Sequence, residues 1–337
     1  MGVMIMKTIL TGIKPTGELH LGNYLGAIKP AVDLSQDTAN RYAYFIADIH
    51  ALNNDQIRKE GAINTLSYKI AAAFIALGLD TDRCLFYKQS DIPQITEMTF
   101  YLMNEASKGL LNRAHAYKAK VQDNIANNFD QDKNVNMGLF NYPVLMASDI
   151  LIMDTDIVPV GKDQIQHIEI TRDIAQSINH QYGDIFKLPI AQVDETTMLL
   201  PGNDGRKMSK SYGNTIPLFS TEKELYKNIM KIKTDSIPLG EPIPTENSVV
   251  YTLFEAFLDK SEMIDVKRQF ESGVGYGNLK KKLFEVIYNE LIDKREKYFE
   301  LLDDYKYIDT ILEKNKIIVR EQAQKKVDQL KNKMLNH

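Results

Sequence analysis

Val3-Met4-Ile5-Met6-Lys7-Thr8-Ile9-Leu10, then Thr11-Gly12-Ile13-Lys14-Pro15-Thr16-Gly17, then Glu18-Leu19-His20-Leu21-Gly22-Asn23: in this opening stretch an apolar run gives way to a turn and then to a helical pattern. The run over residues 3–10 reads as a buried strand, and the turn-rich residues 11–17 end it. A helical pattern follows over residues 22–34. The glycines permit close backbone approach, and the helix beyond supplies unpaired N–H groups and the positive end of a dipole, where phosphate can sit. His20 and Asn23, one turn apart, are candidates to donate to phosphate oxygens or a ribose. There is no Walker lysine and no G-x-G-x-x-G, so neither a P-loop nor a dinucleotide fingerprint applies. The bland alternative is an ordinary strand–helix corner.

The same alternation continues outward. Residues 42–49, 85–88 and 156–160 read as strands, and residues 58–77, 95–111 and 162–181 as helices. Strands separated by helices of this length imply βαβ units and a parallel sheet covered on both faces, for which the order 3-2-1-4-5 is typical. Residues 112–137 are polar, rich in Asn, Asp, Lys and Gln, and read as a mobile lid or disordered loop. A short apolar strand at residues 198–200 precedes a glycine-rich loop at 201–214. After Ser220 the strand signals vanish and helical patterns run to the end.

Composition bounds the rest. A chain of 337 residues suggests about two domains. The 44% hydrophobic and 26% charged residues argue against a mostly disordered chain. A net charge of −4 excludes a cationic nucleic-acid coat, and the single cysteine, Cys84, excludes an internal disulfide framework. Residues 277–337 hold 14 Lys/Arg against 11 Asp/Glu, a weak asymmetry that reads first as a solvated helix face. No Cys/His cluster has zinc spacing. The apolar start is too short to span a bilayer, and the expectation is a cytoplasmic protein without a membrane partner.

The second chemical constellation is Lys207-Met208-Ser209-Lys210-Ser211, flanked by Gly205-Arg206 and Tyr212-Gly213-Asn214. Two lysines and two hydroxyls in a glycine-bounded loop suit the clamping of a polyphosphate. Taken with the earlier turn, it makes the chain resemble a class I aminoacyl-tRNA synthetase. His20-Leu21-Gly22-Asn23 is similar to that class's "HIGH" signature, with Asn23 in place of the second His, and residues 207–211 match its "KMSKS" signature letter for letter. The third constellation is Tyr142-Pro143-Val144-Leu145-Met146-Ala147-Ser148-Asp149-Ile150-Leu151, followed by Asp156-Ile157-Val158-Pro159-Val160-Gly161-Lys162-Asp163-Gln164. A carboxylate amid Met, Ile and Leu needs a partner, because an unpaired buried charge costs several kcal/mol. This block resembles the tryptophanyl-tRNA synthetase family.

The resemblance implies an α/β fold, a Rossmann-like parallel sheet of the HUP nucleotide-binding type, with a C-terminal α-helical domain. Residues 1–215 would form the catalytic domain and residues 216–337 an anticodon-reading domain whose last helix is a candidate to pack back on the first; loops 112–137 and 201–214 would be mobile. By the same resemblance Asp149 would read the indole N–H of tryptophan. Tyr142 and Gln164 would hold the α-amino group, and Leu10, His50, Met146, Ile150, Val158 and Val160 would wall the ring. Lys14, Pro15, Thr16, Gly22, Asn23, Gly161, Lys162, Asp163, Met198, Leu200, Met208 and Ser211 would surround ATP. Lys207, Ser209, Lys210 and the lid lysine Lys118, with His20 and Asn23, would carry the catalytic work. Lys14 and Leu10 depart from relatives that carry Gln and an aromatic ring there. His115 and His167 read as structural. Mg²⁺ would arrive with ATP, and the partners would be L-tryptophan, ATP, tRNA(Trp) and a second copy of the chain. A tyrosine-specific synthetase, an inactive RNA-binding or tryptophan-sensing paralogue, and a small nucleotidyltransferase are the rivals.

Overall fold

In the computed structural model, which describes residues 6–193 and 200–335, five parallel strands form one sheet in the order β3-β2-β1-β4-β5. They are β1 (Thr8–Ile13), β2 (Arg41–Ile46), β3 (Leu85–Lys88), β4 (Ile157–Val160) and β5 (Ile190–Val193). Side chains alternate across a strand with period two, and here the alternation sorts them into two cores. Tyr42, Tyr44 and Ile46 of β2 face one core, together with Ile9 and Phe86. Ala43 and Phe45 face the other, with Leu10, Leu85 and Tyr87.

On the first face lie the helices Ile63–Ala76, Glu222–Met230, Val249–Phe257 and Tyr276–Asp303. On the second lie Pro93–Met103, Met137–Leu151 and Ile165–Tyr182. The last helix, Lys306–Leu335, serves both. Ile308, Ile311 and Leu312 join the first core, while Val319, Ala323, Val327 and Leu330 join the second. It thereby passes along β3 and covers the edge of the sheet, which would otherwise offer unpaired backbone groups. Arg320 Nε donates to the Asp91 carbonyl at 2.6 Å, and Lys326 pairs with Asp154 at 2.7 Å.

Several sequence expectations change in detail. Residues 42–49 split into β2 and a short helix, Asp48–Ala51. The helix expected over 58–77 breaks at Gly61, whose φ is +65°, into Asp55–Lys59 and Ile63–Ala76. The one expected over 95–111 breaks before Ser107, which caps Lys108–Leu111. Residues 112–137 are a correction: they contain the helix His115–Ala126. Helix propensity there outweighs the lack of apolar periodicity, and buried Asn124 steadies the following turn by donating to the carbonyls of Gln131 and Lys133. The fifth strand lies at 190–193 and was unforeseen; of the strand expected at 198–200, residues 198 and 199 lie outside the described residues.

The order of the sheet reverses direction between β1 and β4, and ligands of open α/β sheets bind at the carboxyl ends of strands flanking such a switch. Residues 14–17 and 161–164 sit there. The C-terminal helices help hold this arrangement through the first core, in which Phe254 is fully buried. Phe254→Ala should therefore cost about 3–5 kcal/mol in urea unfolding. A loss under about 1 kcal/mol would mean that the Val249–Phe257 helix is not integral to the core.

Candidate active site

The first turn is built around His20. It caps the helix that starts at Leu21: its Nδ1 accepts from Asn23 N–H at 3.3 Å, while Asn23 Oδ1 accepts from His20 N–H at 3.2 Å. One residue on, the helix carries a π-turn over Tyr24–Ile28, a distortion that recurs at functional sites. Leu21 N–H donates to the Ile216 carbonyl at 3.0 Å and Leu218 N–H to the Leu19 carbonyl at 2.9 Å. The strand-like segment after the lysine loop is thus stitched to the first turn, nearly two hundred residues away in sequence.

The stitch sets the lysine loop over the turn. Gly17 has φ of +119°, a conformation that suits glycine, and a Cβ there would lie 3.3 Å from Lys210 Nζ. Lys210 Nζ donates to the Thr16 carbonyl at 3.3 Å. Burial lowers its pKa, opposed by the charge of Glu18. His20 is held neutral, with burial first and Lys210 second pushing its pKa down to about 4. Between turn and loop lies a cleft of about 750 Å³, lined by Thr16, His20, Asn23, Lys207, Ser209 and Lys210 among others. Gly22, Leu200, Met208 and Ser211 also face it. Its donors are ammonium, amide and hydroxyl groups, which suit phosphate oxygens.

Asn214 organises the loop from inside. Its Oδ1 accepts from Ser209 N–H at 2.8 Å, and its Nδ2 donates to Asp204 Oδ1 at 2.7 Å and to the Lys207 carbonyl at 3.1 Å. Asn214 is buried, and a Cβ on Gly202 would fall 2.4 Å from its amide, so position 202 has room only for glycine. Asp204, hydrogen-bonded by Asn214 and Arg206, is held near pKa 2 and stays charged. Lys207 and Lys210 are left exposed at the rim.

The second half of the site lies past the carboxyl ends of β2 and β3, which His50 and Gln89 follow. Asp149 is wholly buried on Met137–Leu151 and has its partners: Gln89 Nε2 at 2.8 and 3.0 Å, and His50 Nε2 at 2.9 Å. Leu10, Ile150 and Val158 are buried in the same core, with Met146 and Val160 packed against it. His50 was expected to be a wall; here it binds the carboxylate, and its ring meets Tyr142 edge-on at 6.3 Å. Tyr142 in turn hydrogen-bonds His167 Nε2. Burial, then the charge of Asp163, pushes Tyr142 up to about 12. Burial, then His115, pushes His167 down to about 4.

Lys14 is exposed overall, yet burial lowers its pKa. Pro15 is buried beside it, whereas Gly161, Lys162 and Asp163 are exposed on the opposite rim. Gln164 donates to Asp163 Oδ2 at 2.8 Å. Lys118 is exposed on the His115–Ala126 helix. That helix is tethered by Gln166, which accepts from His115 N–H and donates to the Arg113 carbonyl, both at 2.9 Å. Met198 lies outside the described residues. Gln89, Asn214 and Gln166 were missed by sequence reasoning; only Gln89, next to the end of a strand, carried a positional signal.

The model of class I tRNA synthetases (W and Y) matches residues 6–291. The tryptophan–tRNA ligase of Pseudomonas putida is 49% identical over 87% of this chain and 66% of its own length. That of Xanthomonas axonopodis pv. citri is 48% identical over 90% of this chain and 70% of its own. The chain thus spans about two thirds of these curated relatives. The crystal structure of tryptophanyl-tRNA synthetase from Campylobacter jejuni, complexed with ADP and tryptophan, is 43% identical with a TM-score of 0.87, covering 97% of this chain and 99% of that one.

Two outcomes follow from the geometry. Asn214→Ala should remove about 1–3 kcal/mol of local stability, the cost of unpaired buried groups. Amide exchange at residues 202–214 should accelerate while the sheet stays protected; uniform protection would show that other contacts hold the loop. The neutral histidines make stability pH-dependent. Between the ordinary histidine pKa of 6.5 and the folded value of about 4, the unfolded chain binds protons that the folded one refuses, so stability falls as pH drops through this window. His167→Gln should lose less Tm between pH 7 and pH 5 than wild type, and equal losses would contradict the assignment.

Proposed function

The chain belongs to the class I tRNA synthetases of the tryptophan and tyrosine family, and on that footing we propose that it is a tryptophan–tRNA ligase. The observation that carries the reading is the pairing of a lysine- and hydroxyl-lined cleft with a buried carboxylate, Asp149, held by Gln89 and His50 past the ends of β2 and β3. Intact lysines and the stitched first turn favour an active enzyme over an idle paralogue. The relatives named tryptophan–tRNA ligase favour an indole over the phenol of a tyrosine enzyme.

In the proposed reaction the carboxylate of L-tryptophan attacks the α-phosphorus of ATP. A C–O–P bond forms, the bond to the bridging oxygen breaks, and pyrophosphate leaves. The attacking carboxylate is already ionised at neutral pH, so this step asks for no general base. The work is orientation and stabilisation of charge on the α-phosphate and the leaving group. In this reading Lys207, Lys210 and Ser209, which line the cleft, take the pyrophosphate, Thr16, His20, Gly22 and Asn23 the nucleotide, and Lys118 serves closure. Lys14, Gly161, Lys162 and Asp163 rim the nucleotide side, and Tyr142 and Gln164 take the α-amino group. The 3′-terminal adenosine of tRNA(Trp) then attacks the mixed anhydride, takes the tryptophanyl group and releases AMP.

Among the described residues no group of three or more His, Cys, Asp or Glu is placed to hold a metal ion, and Mg²⁺ is proposed to enter with ATP, neutralising its phosphates. Likewise no helix among them is long and apolar enough to cross a membrane. A catalytic domain over 1–215, an anticodon-reading domain over 216–337, and a cytoplasmic setting belong to the same proposal. So does a homodimer, supported by exposed Phe100, Met103 and Met137 on the helices of the second face. Residues 112–137 and 201–214 are proposed as the moving parts; hydrogen exchange with and without an adenylate analogue reads them.

ATP–pyrophosphate exchange across all twenty amino acids tests the whole. Tryptophan alone should support it. Lys210→Ala should slow the exchange about 10²–10³-fold with a smaller change in tryptophan affinity. Asp149→Ala should impair tryptophan activation and narrow the gap to phenylalanine. Exchange driven equally by another amino acid would end the assignment.

A further inference from the structure

The carboxylate that would read the substrate is itself held by a residue with no assigned role. Gln89 is wholly buried on the short 3-10 turn Gln89–Asp91, just past β3. Its Nε2 donates to Asp149 Oδ1 at 2.8 Å and to Oδ2 at 3.0 Å. Its Oε1 accepts the backbone N–H of His50 at 3.3 Å. That second bond fixes which way the amide faces, since the flipped form would turn an oxygen toward a carboxylate and an NH₂ toward an N–H. His50 closes the ring through its Nε2 on Asp149 Oδ2 at 2.9 Å. The turn is itself pinned, because Asp48 accepts from both the backbone N–H and the hydroxyl of Ser90.

The acceptor count gives this ring a function. A carboxylate offers about four acceptor positions. Oδ2 receives two donors and Oδ1 one, so an open position is left on Oδ1. We infer that Gln89 is a positioning residue for substrate specificity, bridging both oxygens of Asp149 so that the carboxylate is held in one rotation with an acceptor position of Oδ1 open to a ring N–H. The inference rests on the tryptophan reading above.

What Gln89 prevents is a change of polarity. Burial raises the pKa of Asp149, His50 and Gln89 oppose it, and the charge of Asp48 adds to the rise. Tyr87 also senses the Asp149 charge, and its buried hydroxyl has no hydrogen-bond partner. Without the two Gln89 bonds Asp149 is freer to protonate and turn. A neutral acid carries an O–H donor, and a donor facing an indole N–H loses the discrimination that the site exists to make.

The test uses Gln89→Leu and, as a second variant with more side-chain volume, Gln89→Met, in the full chain. The wild-type protein is measured first for tryptophan-dependent ATP–pyrophosphate exchange. In the variants the KM for tryptophan should rise about 10- to 100-fold, the scale of a lost hydrogen bond to a charged group, while kcat and the KM for ATP stay within about threefold. The penalty for analogues whose ring N–H is replaced by O or S should shrink by a similar factor. The acid limb of the exchange profile should move to higher pH. Independently, a ¹³C NMR titration of the Asp149 carboxyl, assigned with Asp149→Asn, should show it protonating at higher pH in the variants. Unchanged discrimination together with an unmoved Asp149 titration, in variants that fold, overturns the inference. Should wild type show no tryptophan-dependent exchange, the functional reading falls, and the titration alone then decides whether Gln89 controls the charge of Asp149.

Discussion

Two backbone hydrogen bonds, Leu21 to Ile216 and Leu218 to Leu19, join the chain's first turn to the segment behind its lysine loop. Each contributes on the order of 1 kcal/mol net, far less than the entropy of ordering the stretch between them. The stitch therefore does not hold the site together by its own strength. Burial does that: Leu200, Met208, Ile216 and Leu218 sit in the same core as Leu21 and Tyr24. The hydrogen bonds supply register, fixing which residue of the loop stands over which residue of the turn. Lys210 reaching Thr16, and Met208 close to Gly22, both depend on that register.

The two halves of the site follow different electrostatic regimes. Around the cleft the cations are exposed or half-exposed on a loop braced from within, so they can follow a moving charge, with burial already lowering the pKa of Lys210. Around Asp149 nothing is exposed, and each oxygen of the carboxylate is engaged before any substrate arrives. A polyphosphate needs charge that can adjust during reaction, whereas a ring N–H needs an acceptor that cannot. The fold separates the two demands by placing one on a loop and the other in the buried last turn of a helix.

Four strands of the parallel sheet were legible as short apolar runs between helical patterns, and β2 sorts its side chains cleanly between two cores; β5 was not. The lysine loop and the His20 turn were legible as contiguous motifs. The rest was hidden for physical reasons. Gln166 acts through backbone groups and Asn214 largely so, and such partners leave no mark of identity in a sequence. Gln89 meets Asp149 across sixty residues, and only tertiary packing brings them together. The helix at 115–126 eluded periodicity because its apolar residues form no stripe; its propensity and its tether from Gln166 form it instead. The resemblance made the last helix a candidate to pack back on the catalytic domain, but nothing in the sequence said that it would serve both faces of the sheet.

That double service bears on how the chain comes apart. Composition draws a border near residue 215, yet the helix Tyr276–Asp303 shares a continuous core with β1 and β2, and Tyr24 donates to its Glu290 at 2.9 Å. The last helix then reaches round the edge strand to the opposite layer. A protease cut at the border would not release two self-sufficient halves, because each would expose apolar surface that the other covers. In heat or denaturant the sheet and the C-terminal helices would melt together as one cooperative unit. By packing, the chain is undivided at that border.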